Sequence, residues 1–137
     1  MDAERGSAVV EFLGGTVVLV VPLVYLVLTL AQVQAAAFAA EGAARDTGRI
    51  IATASDAAAA AFVAEQGVEL AFADHGIVVV GSDALEISCS PTCEDRGARV
   101  HVTVTAQVPL PLIPGGGLTV PISAEAVTNV DLFREHE

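Results

Sequence analysis

Glu11 is the residue whose type and position most directly suggest chemistry. It stands immediately before residues 12–40, a run in which no side chain carries a formal charge. A charge at the centre of a bilayer costs about 2.5–3.5 kcal/mol on insertion scales, so a charged side chain usually sits at the interface or meets a partner. Buried opposite charges must also approach closely to offset their desolvation. We therefore expect Glu11 either to face lipid headgroups or to pair with a positively charged partner.

Cys89 and Cys93 form the second candidate pair, and they are the only cysteines in the sequence. Two thiols are too few for a structural zinc site, which takes four ligands, and no histidine lies close enough in sequence to complete one. The spacing favours a small disulfide loop, which requires an oxidising compartment. The alternative is two free thiols in a turn.

Other residue types with catalytic potential are scattered. His75, His101 and His136 are isolated, and none belongs to a metal-binding motif. Residues 115–117 are three glycines that follow a proline and lead into a strand pattern, so they indicate a turn and not a phosphate-binding loop. We expect no catalytic residue, no bound metal, no cofactor and no small-molecule substrate. The chain is predicted not to be an enzyme.

Charge and length narrow the class of partner. The 137 residues include 17 acids and six basic residues, which gives a formal net charge of −11. A chain this acidic lacks the basic surface patch that binds nucleic acid, and it lacks the polybasic segment that binds anionic lipid. The length suits one membrane segment and one small domain.

The first element needed to position Glu11 is a long helix. Residues 12–30 consist only of Val, Leu, Phe, Pro, Tyr, Gly and Thr. About 20 residues at 1.5 Å each match a hydrocarbon core of about 30 Å, and a signal peptide would have a shorter apolar core. The pattern predicts a helix over residues 7–49, half of it outside the lipid, which Pro22 can bend. Glu41 and Arg45 are spaced for an ion pair on this helix.

A second helix is predicted over residues 56–73. Either Ser55 or Asp56 can cap its first turn. Its apolar side is expected to come from four residues, namely Phe62, Val63, Leu70 and Phe72. Residues 74–76, Asp-His-Gly, are typical of a helix end. Whether this helix continues the first one or folds back on it is left open.

The remaining residues predict a β region. Residues 77–80 are a short apolar run, and a strand is expected over residues 84–89 with Leu85 and Ile87 on one face. Residues 99–108 alternate between apolar and polar side chains, which is typical of a half-buried strand, and residues 118–126 repeat the pattern. Pro121 falls on the polar side of the last strand and indicates an edge or a bulge there.

The connection between the last two strands contains unusually apolar residues. Leu110, Leu112 and Ile113 lie within a proline-rich stretch that is too long for a tight hairpin. They are expected either to fold back over the sheet or to contact the membrane or a partner.

Together these patterns predict an α+β, membrane-anchored fold in four parts. Residues 1–6 form a short polar leader, and residues 7–49 form the transmembrane and extended N-terminal helix. Residues 50–76 carry the second helix. Residues 77–137 form a small extracytoplasmic antiparallel β region.

Several of these features resemble TadE-like pseudopilins of the tight-adherence (Flp) pilus system. They are Gly6 five residues before Glu11, the apolar run, the Ala-rich stretch around Glu41, and the Pro-Leu-Pro connection between two alternating strands. The resemblance implies that a prepilin peptidase cuts after Gly6 and makes Ser7 the new N-terminus. It also implies that Glu11 compensates the Ser7 α-amine of a neighbouring subunit.

The same resemblance implies where the chain works and with what. Its partners would be the membrane bilayer, the prepilin peptidase, other pilins or pseudopilins, and pilus assembly platform proteins. It would cross the cytoplasmic membrane once, with its N-terminus inside and its C-terminal domain outside. The cysteine pair supports this orientation, whereas Arg45 and Arg49 after the run oppose it weakly. Whether the subunit enters the fibre is left open.

Two other functions remain as alternatives. One is a signal-anchored, single-pass extracytoplasmic binding module that is not processed at Gly6. The other is a major pilin, which the long stretch after the helix disfavours, because Flp major subunits are usually much shorter.

Overall fold

The computed structural model describes residues 3–111, 113 and 117–132. It contains the helices α1 (Ala3–Thr53), α2 (Ala57–Ala73) and α3 (Gly81–Ala84), and the strands β1 (Leu85–Ser90), β2 (Arg99–Pro109) and β3 (Thr119–Asn129). The strands form an antiparallel sheet in the order β1-β2-β3. The predicted α+β order of a long helix, a second helix and a small antiparallel sheet is confirmed.

Some predictions fall on residues outside this description. They concern the first two residues of the leader, Leu112 and two glycines of the connection, and His136 in the C-terminal tail.

Helix α1 is longer than the predicted helix at both ends. It begins at Ala3, inside the expected leader, and ends at Thr53 instead of Arg49. Ala, Glu and Arg at positions 3–5 are good helix formers, so local propensity favours extension through Gly6. The helix also continues through Pro22, whose missing N–H removes one hydrogen bond of the backbone ladder.

Helix α2 folds back along α1 after a three-residue connection. Asp56 is the cap, because its carboxylate accepts hydrogen bonds from the backbone N–H groups of Ala58 (2.9 Å) and Ala59 (3.1 Å). These bonds satisfy two of the free N–H groups at the helix start. The two helices pack against each other, so the question left open by the sequence is answered in favour of a hairpin.

The predicted apolar side of α2 is largely wrong. Phe62, Val63 and Leu70 are exposed, and of the four expected residues only Phe72 is buried. The buried stripe is instead Ala60, Ala64, Val68 and Phe72, which recur every four residues. The side of α1 that faces the core carries small side chains, so the two helices approach closely. The narrow space between them accommodates alanine side chains of α2 better than larger ones.

The end of α2 matches its prediction. The N–H of Ile77 donates to the carbonyl of Phe72 (3.1 Å), and that of Gly76 donates to the carbonyl of Ala73 (2.9 Å). This is the Schellman pattern, which requires a left-handed residue, and Gly76 has φ +71°. Phe72 and Ile77 are both buried, as the pattern favours.

Residues 77–80 do not form a strand, which corrects the expectation that the β region begins there. They have no regular secondary structure, Val80 is extended, and they lead into α3, whose first N–H, at Gly81, donates to Glu69 Oε1 of α2 (2.8 Å). A Cβ atom at Gly81 would overlap the backbone carbonyl of Glu65. This close contact holds the segment on α2 and keeps it from pairing with the sheet.

The sheet follows the alternating pattern. On β2 every second side chain is buried, namely Val100, Val102, Val104, Ala106 and Val108. The register of β2 and β3 is unbroken from Arg99–Asn129 to Pro109–Thr119, so Pro121 lies on an edge strand without a bulge. Leu85 and Ile87 are half-buried on one face of β1, as predicted.

The inner face of the sheet packs on the second half of α1. At Gly48 the approach is close, because a Cβ there would lie 3.2 Å from Cγ2 of Thr128. The core therefore joins α1, α2 and the sheet in one unit. The α1 residues buried in this unit are Ala36, Ala39, Ala40, Ala43, Ala44, Thr47, Gly48, Ile51 and Ala52.

We predict that Gly81→Ala destabilises the protein by about 1–3 kcal/mol, because the new methyl group has no space against the α2 backbone. Gly67→Ala is the matched control, since a Cβ at this helical glycine meets nothing within 4 Å. It should be neutral or stabilise by up to about 1 kcal/mol. Thermal unfolding followed by circular dichroism in detergent compares the two. Equal melting temperatures would contradict the packing at Gly81.

Candidate functional site

The first part of α1 is an apolar surface open on all sides. Every residue from 7 to 30 is exposed except Tyr25 and Thr29, which are half-buried. Within the described chain, Ser7–Thr53 is the one helix long and apolar enough to cross a membrane. Water-soluble monomers rarely expose an apolar surface this large. Lipid or other apolar helices would be needed to cover it.

Glu11 lies on this surface and is exposed. The ion pairs among side chains of the described chain are Arg45–Glu41 (3.0 Å) and Arg49–Asp46 (3.6 Å), both well beyond the apolar segment. The first is the pair predicted from the sequence. No cation of the described side chains reaches Glu11, so a positive partner would have to come from elsewhere.

The helix surface beside Glu11 lacks side chains at two neighbouring positions. Gly14 and Gly15 follow it by three and four residues, which places them on the same side of the helix. No heavy atom lies within 4 Å of a Cβ built on either glycine. The hydroxyl of Thr16 donates to the carbonyl of Phe12 (2.8 Å) and so does not project toward a partner. Another backbone could approach the helix closely here.

The predicted processing site lies within the same helix. Gly6 and Ser7 are part of α1, and Glu11 follows Gly6 by five positions, which is about 7.5 Å along the axis. The first turn of any helix has unsatisfied N–H groups and frays most easily. Cleavage after Gly6 would require that this turn unwind locally.

Cys89 and Cys93 are joined in a disulfide, with their Cα atoms 5.0 Å apart. The bond closes the turn after β1, where the hydroxyl of Thr92 also donates to Asp95 Oδ2 (2.8 Å). Cys89 pairs with Val100 at the start of β2, at the end of the sheet near the last turn of α1. The structure therefore places the two candidate sites at opposite ends of the molecule.

The described residues assemble no further chemistry. No three or more His, Cys, Asp or Glu side chains among them lie close enough to hold a metal ion. His75 and His101 are separately exposed. A shallow cleft of about 250 Å³ lies between residues 78–80 and residues 105–107, and another of about 410 Å³ lies at the turn between α1 and α2. That the chain is not an enzyme stays a prediction.

Comparison with protein-family models, with curated proteins and with solved structures gave no match. The resemblance to TadE-like pseudopilins therefore depends on the residues themselves.

Sequence reasoning missed the significance of Tyr25 and Thr29. They lie on the helix side that continues through Val33, Ala36 and Ala40 into the core. The signal available in the sequence was this spacing of three or four residues, which runs from the apolar segment into the Ala-rich stretch without a phase change.

Replacing both cysteines by serine should lower the free energy of unfolding by about 2 kcal/mol, the value expected for so short a loop. Thermal unfolding with and without dithiothreitol tests this. The reductant should lower the melting temperature of the wild type and leave the double variant unchanged. A wild type that does not respond to the reductant would contradict a stabilising role.

Proposed function

We propose that this chain is a TadE-like pseudopilin, a minor or accessory subunit in the assembly of a Flp-type pilus or related secretion machinery. It is anchored in the cytoplasmic membrane by α1 and processed after Gly6. The observation that carries the proposal is the position of Glu11, a carboxylate without a cation among the described side chains, at the start of an exposed apolar helix.

The proposed chemistry begins with the freed amine. Cleavage after Gly6 gives Ser7 a positively charged α-amine, and Glu11 of one subunit pairs with that amine on its neighbour. In a low-dielectric surrounding each charge alone would be costly, and close pairing offsets the desolvation of both. The bare surface at Gly14 and Gly15 supports this step, because it lets a neighbouring helix approach Glu11.

The orientation is proposed from the disulfide. Disulfides persist in oxidising compartments and are rare in the cytosol. The bond lies in the domain at the far end of α1. We therefore place the domain outside the cytoplasmic membrane and the N-terminus inside, in contact with the prepilin peptidase and the assembly platform proteins.

The second candidate is a signal-anchored extracytoplasmic binding module that keeps its N-terminus. One observation favours it, namely that α1 runs without interruption through the Gly6–Ser7 bond. In this function the apolar segment is only an anchor, and Glu11 faces headgroups.

We predict that the mature protein begins at Ser7 in cells that contain their prepilin peptidase and at Met1 in cells that lack it. Mass spectrometry of the purified protein from both strains measures this. A chain that begins at Met1 in both strains would exclude the pseudopilin function and leave the anchored module.

We predict that Glu11→Ala leaves cleavage at Ser7 intact but reduces co-purification with other pilin subunits, and piliation, to background. The physical reason is that the neighbour's amine loses its counter-charge. Glu41→Ala is the control, because it removes a glutamate of the same helix whose exposed ion pair contributes little. Equal piliation in the two variants would argue for the second candidate.

A further inference from the structure

The direction of the sheet relative to α1 places the β2–β3 hairpin end toward the apolar segment. Gly48 lies against Thr128, and the N–H of Asp131 donates to the carbonyl of Ala52 (3.3 Å), so α1 and β3 run in the same direction. Thr128 follows Leu118 by ten positions, which in extended strand geometry is about 34 Å. That length equals about 17–23 helical residues, depending on the crossing angle. The hairpin end therefore reaches α1 at about residues 25–31.

The burial of α1 agrees with this placement. Tyr25 and Thr29 are the half-buried residues in an otherwise exposed stretch. Both lie on the side of the helix that faces the sheet further along. If the hairpin end lies beside α1 at about residues 25–31, it would partly bury the residues on the sheet-facing side of the helix and leave the others exposed.

The described residues at the hairpin end are apolar. The N–H of Leu110 donates to the carbonyl of Leu118 (3.1 Å), which extends the ladder beyond the strands. Leu118 is 58% exposed, and Leu110, Pro111 and Ile113 are half-buried. These residues lie at the level of helix residues that are themselves apolar and exposed.

The strand segments that form this end carry no formal charge, although Asp83 of α3 shares a cleft with residues 105–107 of β2. No Asp, Glu, Lys or Arg occurs between Arg99, at the opposite end of the sheet, and Glu125, which lies near the middle of β3 and pairs with Thr103. Residues 12–40 of α1 are also uncharged. No formal charge of these segments would have to leave water if this end entered the lipid interface.

We propose that Leu110, Ile113 and Leu118 lie in the interfacial layer of the lipid leaflet that surrounds the end of the apolar segment. The domain then contacts the bilayer through the hairpin as well as through α1. This inference rests on the proposed membrane anchoring. Lipid is the occupant the observations favour, because the hairpin end adjoins the part of α1 that needs lipid.

The test uses the full chain in phosphatidylcholine nanodiscs, labelled with the fluorophore NBD under non-reducing conditions. Leu118→Cys carries the label at the hairpin end. Val127→Cys is the control, because Val127 is 54% exposed toward the other end of the same strand. Val20→Cys reports on the apolar segment. We expect blue-shifted emission and quenching by doxyl-labelled lipid at positions 118 and 20, and neither at position 127.

Each other outcome overturns the inference in a distinguishable way. Quenching at 20 with 118 resembling 127 leaves the anchor intact and shows that the hairpin stays in water. A blue shift at 118 without lipid quenching shows that protein covers it. No quenching at position 20 removes the membrane anchoring itself, and with it both the inference and the proposed function.

Discussion

The structure depends on how closely α1 can approach its neighbours. Its core side carries alanine at positions 36, 39, 40, 43 and 44 and glycine at position 48, and the sheet supplies valines opposite. Protein interiors are close-packed, so the small side chains on this side of α1 let the facing elements come close to its backbone. α2 meets the same side of the core with Ala60 and Ala64. A larger residue on α1 would separate the helix from both the sheet and α2.

This constraint explains which parts of the fold the sequence could predict. The alternation along β2, the Asp56 cap and the Gly76 stop are local signals, and each operates within a few residues. Which side of α2 is buried is not decided by a local signal. Phe62 and Leu70 are the more hydrophobic candidates, yet the small side chains of α1 select the alanine stripe instead. That residues 77–80 do not join the sheet was missed for a similar reason, because the contact of Gly81 with α2 decides it.

The same distinction between local and long-range signals applies to the candidate site. Glu11, the glycine before it and the cysteine spacing can be read from the sequence, because each is a matter of residue type and separation. The level along α1 that we infer for the hairpin end depends on the register between α1 and β3, two elements far apart in the chain. No short pattern encodes that register. The functional assignment is a proposal from the residues at the start of α1, supported by the exposed apolar surface around them.

One helix serves as both the apolar segment and the core of the domain, and this has a mechanical consequence. No flexible linker separates the two parts, since α1 passes from exposed to buried side chains within a continuous helix. A rotation of the apolar segment about its axis would turn the sheet with it. A pull along the axis would load the contacts between α1 and the sheet in shear, over many residues at once. A force applied to the apolar segment would therefore be transmitted to the domain directly, because the helix between them extends very little.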